Sequence, residues 1–288
     1  MNKSFFGFLV VLTTGLMGSS FAIGKMGLVY MSPLLLVGVR FTLAGVIMSL
    51  VVLALKRKHP VKLVEWFQFA VIGFFQTAGV MGAVFLSMRT ITAGEASILV
   101  FTSPMLVVIV GTVFLKAKYR LAQWIGVGVG FLGVFITLGA SLDLMEAGTL
   151  LGFYAAISWT VATFLLKKWG PSFDTWVMTA YQMLFGGLLI LVCSMFIESI
   201  KFIATPSSMF IILWLAIMAS IVQFAIWFYL LEREEPGKVS AFLFLVPLFG
   251  VLSGWALLQE KPHISSLIGG SLILVGIFLV NKPRHKSA

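Results

Sequence analysis

"SILVFTSPMLVVIVG" occupies Ser97–Gly111, and "SAFLFLVPLFGVLSG" occupies Ser240–Gly254. Each is an uncharged apolar run with a proline at its middle, Pro104 and Pro247, 143 positions apart. A proline inside a helix lacks a backbone donor and clashes with the carbonyl four residues back. A chain that carries the same defect twice invites a search for an internal repeat. Shifting by 143 extends the match outward. Gly94, Ser97, Phe101, Pro104, Val108, Gly111, Leu115 and Lys118 fall on identical residues from Gly237 to Lys261. Ile125, Gly126, Gly133 and Phe135 fall on Ile268, Gly269, Gly276 and Phe278, making twelve identities without a gap. Chance pairs Leu, Val and Phe readily in apolar sequence, whereas coincident Gly and Pro are harder to obtain by accident. The earlier part of each half matches more weakly at a shift of 141, which brings Leu43 and Gly45 onto Leu184 and Gly186.

The composition fixes the solvent. Of 288 residues, 60% are hydrophobic and 10% charged, and the mean hydropathy is +1.09. Soluble domains carry about 25% charged residues, so this chain has too little polar surface for water and reads as an integral membrane protein. A crossing helix needs about 20 mainly apolar residues. Ten stretches qualify: approximately 5–24, 33–55, 66–88, 94–115, 121–139, 148–168, 174–197, 209–231, 238–258 and 264–281. The first has an apolar part longer than a signal peptide's and no small-residue cleavage site, so it reads as a retained helix. The single cysteine, Cys193, lies in an apolar run and has no internal disulfide partner.

Charge sets the orientation. With a cytoplasmic N-terminus, fifteen of the twenty Lys and Arg fall on the cytoplasmic side: Lys3, Lys56, Arg57, Lys58, Lys62, Lys116, Lys118, Arg120, Lys167, Lys168, Arg233, Lys238, Lys282, Arg284 and Lys286. Lys25, Arg89, Lys201 and Lys261 fall outside, and Arg40 lies within a span. The ten acids divide evenly, so the net charge of +10 is a positive-inside signal rather than a nucleic-acid footprint. Both termini are expected in the cytoplasm. Spans one to five (5–139) then repeat as spans six to ten (148–281). Five is odd, so the copies enter the membrane from opposite sides. Inverted repeats of this kind are a secondary-transporter construction, with the substrate site near the bilayer midplane.

At this point the pattern resembles a known family. "MGSSFAIGK" (Met17–Lys25) is similar to its Trp-Gly-x-x-Phe…Lys signature, with Met17 where Trp is usual, and "RFTLAG" (Arg40–Gly45) is similar to its Arg-Phe start to the second helix. "TSPMLVVIVGTVFL" and "LVPLFGVLSGWALLQEK" resemble its proline-bearing fourth and ninth helices. Glu260 holds the acidic place that often follows the ninth, while Ala117 stands at the counterpart after the fourth. The chain is identified as a member of the EamA group of the drug/metabolite transporter superfamily. That resemblance implies export or exchange of small metabolites through the inner membrane.

The remaining motifs are weighed singly. "GVGFLG" (Gly128–Gly133) fits a dinucleotide fingerprint only with a strand before it and an exposed turn; inside an apolar span it reads as a small-residue packing face, as do Gly126/Gly130 and Gly250/Gly254. Arg40 lies about seven residues into span two, where an ionisable group is a functional hypothesis by default; the competing reading is a structural or gating charge that fixes packing. Lys25 is interfacial or a carboxylate partner. Glu95, the acid nearest a membrane interior, is equally a cap for span four, so the sequence does not argue for proton coupling. Mid-span polar groups are the candidate substrate lining: Ser19, Ser20, Gln76, Thr77, Thr102, Ser103, Tyr154, Ser158, Trp159, Thr160, Gln223 and Trp227. Singly, each Ser or Thr is as readily bonded to its own helix. Collectively they would suit an amino acid or a similar amphiphile. Pro104 and Pro247 are expected to bend their helices beside that lining. His59, His263 and His285 sit in loops or the tail; no metal, cofactor or catalytic set is expected. The expected partners are the bilayer and a small-molecule metabolite. The reading is therefore a metabolite exporter working by alternating access, the alternatives being a channel or a multidrug efflux protein.

Overall fold

The computed structural model describes residues 2–116, 119–137, 146–233, 239, 242–261 and 264–281. Ala117 and Gly237, singled out above, lie outside them. The described residues form no strand; Met31 and Phe202 make an isolated bridge. The helices are α1 (Lys3–Gly27), α2 (Pro33–Ala54), α3 (Leu63–Gly73), α4 (Ala83–Ser87), α5 (Ala93–Val100), α6 (Ser103–Leu115), α7 (Leu121–Thr137), α8 (Ala147–Trp169), α9 (Thr175–Ile197), α10 (Pro206–Ala216), α11 (Gln223–Arg233), α12 (Leu245–Leu258) and α13 (Ile264–Asn281). Among the described residues, seven helical stretches are long and apolar enough to cross a membrane. Three shorter apolar helices, Leu121–Gly133, Leu245–Leu258 and Leu267–Val280, fall where the fifth, ninth and tenth spans were expected.

Two of the long stretches are not plain α-helix. α3 and α4 are joined by a π-helical segment, Phe74–Gly82, and α10 and α11 by another, Ile217–Val222. Both begin at the same place in the repeat, because a shift of 143 carries Phe74 onto Ile217.

Pro104 and Pro247 also differ from the expectation of a bend inside a continuous helix. α5 ends at Val100, and α6 starts at Ser103 with Pro104 in its first turn. The Thr102 amide donates to Leu99 O at 3.1 Å and the Met105 amide to Thr102 O at 2.9 Å, so the chain tightens between the two helices. A first-turn position leaves the missing proline donor without cost. Pro247 likewise sits in the first turn of α12, preceded by the 3₁₀ turn Phe242–Phe244. The first apolar run is thus broken just before its proline, and in the second a 3₁₀ turn leads into the helix that holds it.

The chain divides into two compact units. One comprises 1–22, 90–150 and 222–288; the other comprises 23–89 and 151–221. Each draws on both sequence repeats. In the first, α7 packs along α13, and α5 packs on α12. α7 and α13 meet backbone to backbone: a Cβ added at Gly126 would lie 2.8 Å from Gly276 O, and one at Gly276 would lie 2.7 Å from Gly130 Cα. Gly126, Gly130 and Gly133 therefore form the contact face, with Gly133 set against Gly269 O, whereas Gly128 of "GVGFLG" is exposed and a Cβ there would meet nothing within 4 Å.

In the second unit, α2 packs along α9 and α3 crosses it. A Cβ on Gly45 would lie 2.5 Å from Leu184 N, and one on Gly186 would lie 2.6 Å from Gly73 O. These are the two glycines that the weaker repeat aligned. Carboxylates fasten both ends of the α2–α9 pair. Glu198 accepts from the Leu34 and Leu35 amides at 3.2 and 2.8 Å and from Arg89 Nη2 at 3.2 Å, answering orphan donors of the α2 N-terminus. Asp174 caps α9 through the Trp176 and Val177 amides and pairs with Arg57 at 3.3 Å.

Candidate functional site

Buried polar side chains gather in the second unit around the two π-helical segments. A π turn shifts the backbone ladder out of its i→i−4 register, and such insertions recur at functional sites. Side chains from other helices engage both segments here. Ser158 Oγ, on α8, donates to Phe75 O at 2.8 Å. Gly79 has no side chain to block that approach: a Cβ there would collide with Ser158 Oγ. Thr77 Oγ1 donates to Gln182 Oε1, on α9, at 2.7 Å. In the other segment, Ser220 Oγ donates to Leu215 O at 3.0 Å, five residues back, and accepts from Arg40 Nε at 3.0 Å. Arg40 Nη2 donates to Ala219 O at 2.9 Å.

The two arrangements correspond. Thr77 falls on Ser220 under the shift of 143. Arg40 is the eighth residue of α2 and Gln182 the eighth of α9. In each case a second-span residue of one repeat reaches the third-span π segment of the other. Arg40 is only 3% exposed and lies 4.7 Å over the Phe41 ring, a cation–π contact. Its Nη1 has no hydrogen-bond partner among the described residues, and neither has Gln76 Oε1.

The residues proposed from sequence are distributed over both units. Gln76, Thr77, Trp159 and Thr160 lie in the second unit with Arg40. Thr160 Oγ1 donates to Ala156 O on its own helix. Tyr154, in the same helix, is 46% exposed. Lys25 ends α1. Ser19, Thr102, Gln223, Trp227, Glu95 and both prolines lie in the first unit. Ser19 and Thr102 donate to Leu16 O and Leu99 O within their own helical runs. Gln223 is buried, with Nε2 4.0 Å from Met17 Sδ, while its carbonyl accepts from Thr13 Oγ1 at 3.0 Å. Trp227 packs against the apolar cluster of Phe6, Leu9, Val10, Leu230 and Val239. Glu95 forms a capping box with Thr92: its carboxylate accepts from the Thr92 amide at 2.9 Å and the hydroxyl at 3.0 Å, and Thr92 Oγ1 accepts from the Glu95 amide at 3.0 Å. Glu260 Oε2 accepts from the Ala93 amide at 3.1 Å, so the acid that follows α12 caps α5 of the other repeat.

Gln182, Ser220 and Glu198 were not singled out from the sequence as site residues, whereas Ser158 was among the mid-span polar groups expected to line the cavity. For Ser220 the repeat held a signal, since it places this hydroxyl opposite Thr77.

The EamA-like transporter family matches residues 5–139 and again residues 146–282. The chain belongs to the EamA-like transporter family. It is thus a multi-pass membrane transporter built from two copies of one repeat. The chain is 29% identical over 268 residues to the uncharacterized transporter YvbV of Bacillus subtilis, covering 92% of this chain and 87% of that protein. It is 28% identical over 285 residues to a probable amino-acid metabolite efflux pump of Salmonella typhimurium, covering 95% and 93%. A crystal structure covering 96% of each chain superposes with a TM-score of 0.67 at 20% identity, a likeness of fold.

Proposed function

We propose that this transporter exports small polar or amphiphilic metabolites, amino acids among them, across the cytoplasmic (inner) membrane by alternating access. The transporter crosses ten times as two inverted five-helix repeats, with both termini in the cytoplasm. The fifteen-to-four bias of Lys and Arg supports that orientation. The observation that carries the mechanism is the pair of π-helical segments at Phe74–Gly82 and Ile217–Val222, in corresponding spans of the two repeats. π turns recur at functional sites and kink the helices that hold them, and corresponding spans of inverted repeats are where a carrier's site lies. The polar side chains gathered there supply hydrogen-bonding capacity in an otherwise apolar medium. The similarity to an amino-acid metabolite efflux pump supports the substrate class.

Counterflow in proteoliposomes tests this reading. Vesicles preloaded with unlabelled L-amino acids should accumulate labelled amino acid transiently and saturably. Flux that rises linearly with concentration and shows no trans-stimulation would indicate a channel instead.

A further inference from the structure

We infer that Arg40 is a recognition site for a carboxylate group on the transported molecule. This inference rests on the transporter reading above and names one chemical requirement of its substrate. A guanidinium has five N–H donors. Arg40 uses two of them, Nε to Ser220 Oγ and one of the Nη2 protons to Ala219 O. Its remaining edge, Nη1 together with the second Nη2 proton, is the fork that binds a carboxylate through two parallel hydrogen bonds. Nη1 is buried and without a partner among the described residues. No carboxylate of the described residues lies within 4.0 Å of Arg40.

Packing alone does not require this charge. In the other repeat Arg40 aligns with Tyr181, and the adjacent Gln182 makes the equivalent contact, engaging Thr77 of the opposite repeat's π segment with a neutral amide. The fold therefore builds the same junction twice, once without a charge and once with one. A buried charge without a counter-charge is costly, and it is retained here about 10 Å along α2, at 1.5 Å per residue. An incoming carboxylate supplies the missing anion and both acceptors. Because Arg40 is 3% exposed, the fork opens to substrate in a different conformation from the one described. The adjoining segment Ile217–Val222 is the element whose rearrangement exposes it.

The test uses the purified full-length transporter with L-amino acids, their methyl esters and carboxamides, and with acetate and acetamide as minimal probes. In wild-type protein, esters and amides should compete for counterflow about 10- to 100-fold more weakly than the free acids, the worth of a hydrogen bond to a charged group. Arg40→Gln should abolish that preference. ¹⁵N-arginine labelling gives a readout that needs no transport: the guanidinium resonance assigned to Arg40 by its loss in Arg40→Lys should shift with acetate and stay fixed with acetamide. Equal competition by acids and esters in wild-type protein, or an Arg40 resonance unmoved by every carboxylate, would overturn the inference while leaving the transporter reading intact. A carboxylate-dependent shift in a protein that transports none of the panel would support the Arg40 site and count against amino-acid export.

Discussion

Replacing Gly45 by alanine tests how closely α2 and α9 are held. The added Cβ would lie 2.5 Å from Leu184 N and 2.6 Å from Leu184 Cα. Carbon atoms in contact normally sit about 3.5–4.0 Å apart, so the overlap is about 1 Å, and the atoms in the way belong to a backbone. No rotamer change relieves it; the helices must separate. A gap of about 0.5–1 Å forfeits a quarter to a half of each dispersion contact along the seam, and overpacking of this kind typically costs about 1–3 kcal/mol. The control is Gly15→Ala in α1, where an added Cβ meets nothing within 4 Å and the helix should gain about 0.5–1 kcal/mol. Tryptophan fluorescence of detergent-purified protein during thermal or denaturant unfolding ranks the variants. Gly45→Ala should unfold earlier than wild type, and Gly15→Ala at the same point or later. A Gly45→Ala protein as stable as the Gly15→Ala protein would refute the claim that backbone contact sets this crossing.

Three further outcomes are expected. Glu198→Gln should lower stability by about 1–2 kcal/mol, because the Glu198 side chain, 1% exposed, serves both the α2 N-terminus and Arg89; the same unfolding assay measures it. Glu95→Ala should cost about 0.5–2 kcal/mol as a lost cap, yet Glu95→Gln should leave the pH profile of counterflow unchanged, and a flattened profile would assign the carboxylate a proton-carrying role. Thr77→Val leaves Gln182 Oε1 without its buried donor and should cost about 1–3 kcal/mol; Thr77→Ser should restore most of the loss.

Helix positions were legible because crossing a bilayer demands a long apolar run and short polar joints. The expected second span, 33–55, and its helix, Pro33–Ala54, differ by one residue. What stayed hidden depends on partners far apart in sequence. A π turn adds one residue per loop of the ladder and leaves no trace in hydropathy, so Phe74–Gly82 reads as ordinary helix. Gln182 looked unremarkable within an apolar run because its meaning comes from Thr77, 105 residues away. Arg40 stood out, since any charge in such a run does, but its neighbours Ser220 and Ala219 could not be inferred from its own segment. Pro104 was visible as an interruption; that the chain would restart a helix there rather than bend one depends on how Thr102 and Phe101 close the preceding turn.

The pairing of α2 with α9 and of α7 with α13 bears on how such a chain arose. Each of these seams joins one repeat to the other, so a solitary repeat would expose the glycine faces that its counterpart now covers. Under the proposed inverted arrangement, such a copy would have to find a second molecule inserted the opposite way up, and the joined gene makes that encounter certain. Severing the chain between residues 139 and 146 should therefore give two fragments that are unstable alone and reassemble when co-expressed, behaving as the subunits of a dimer.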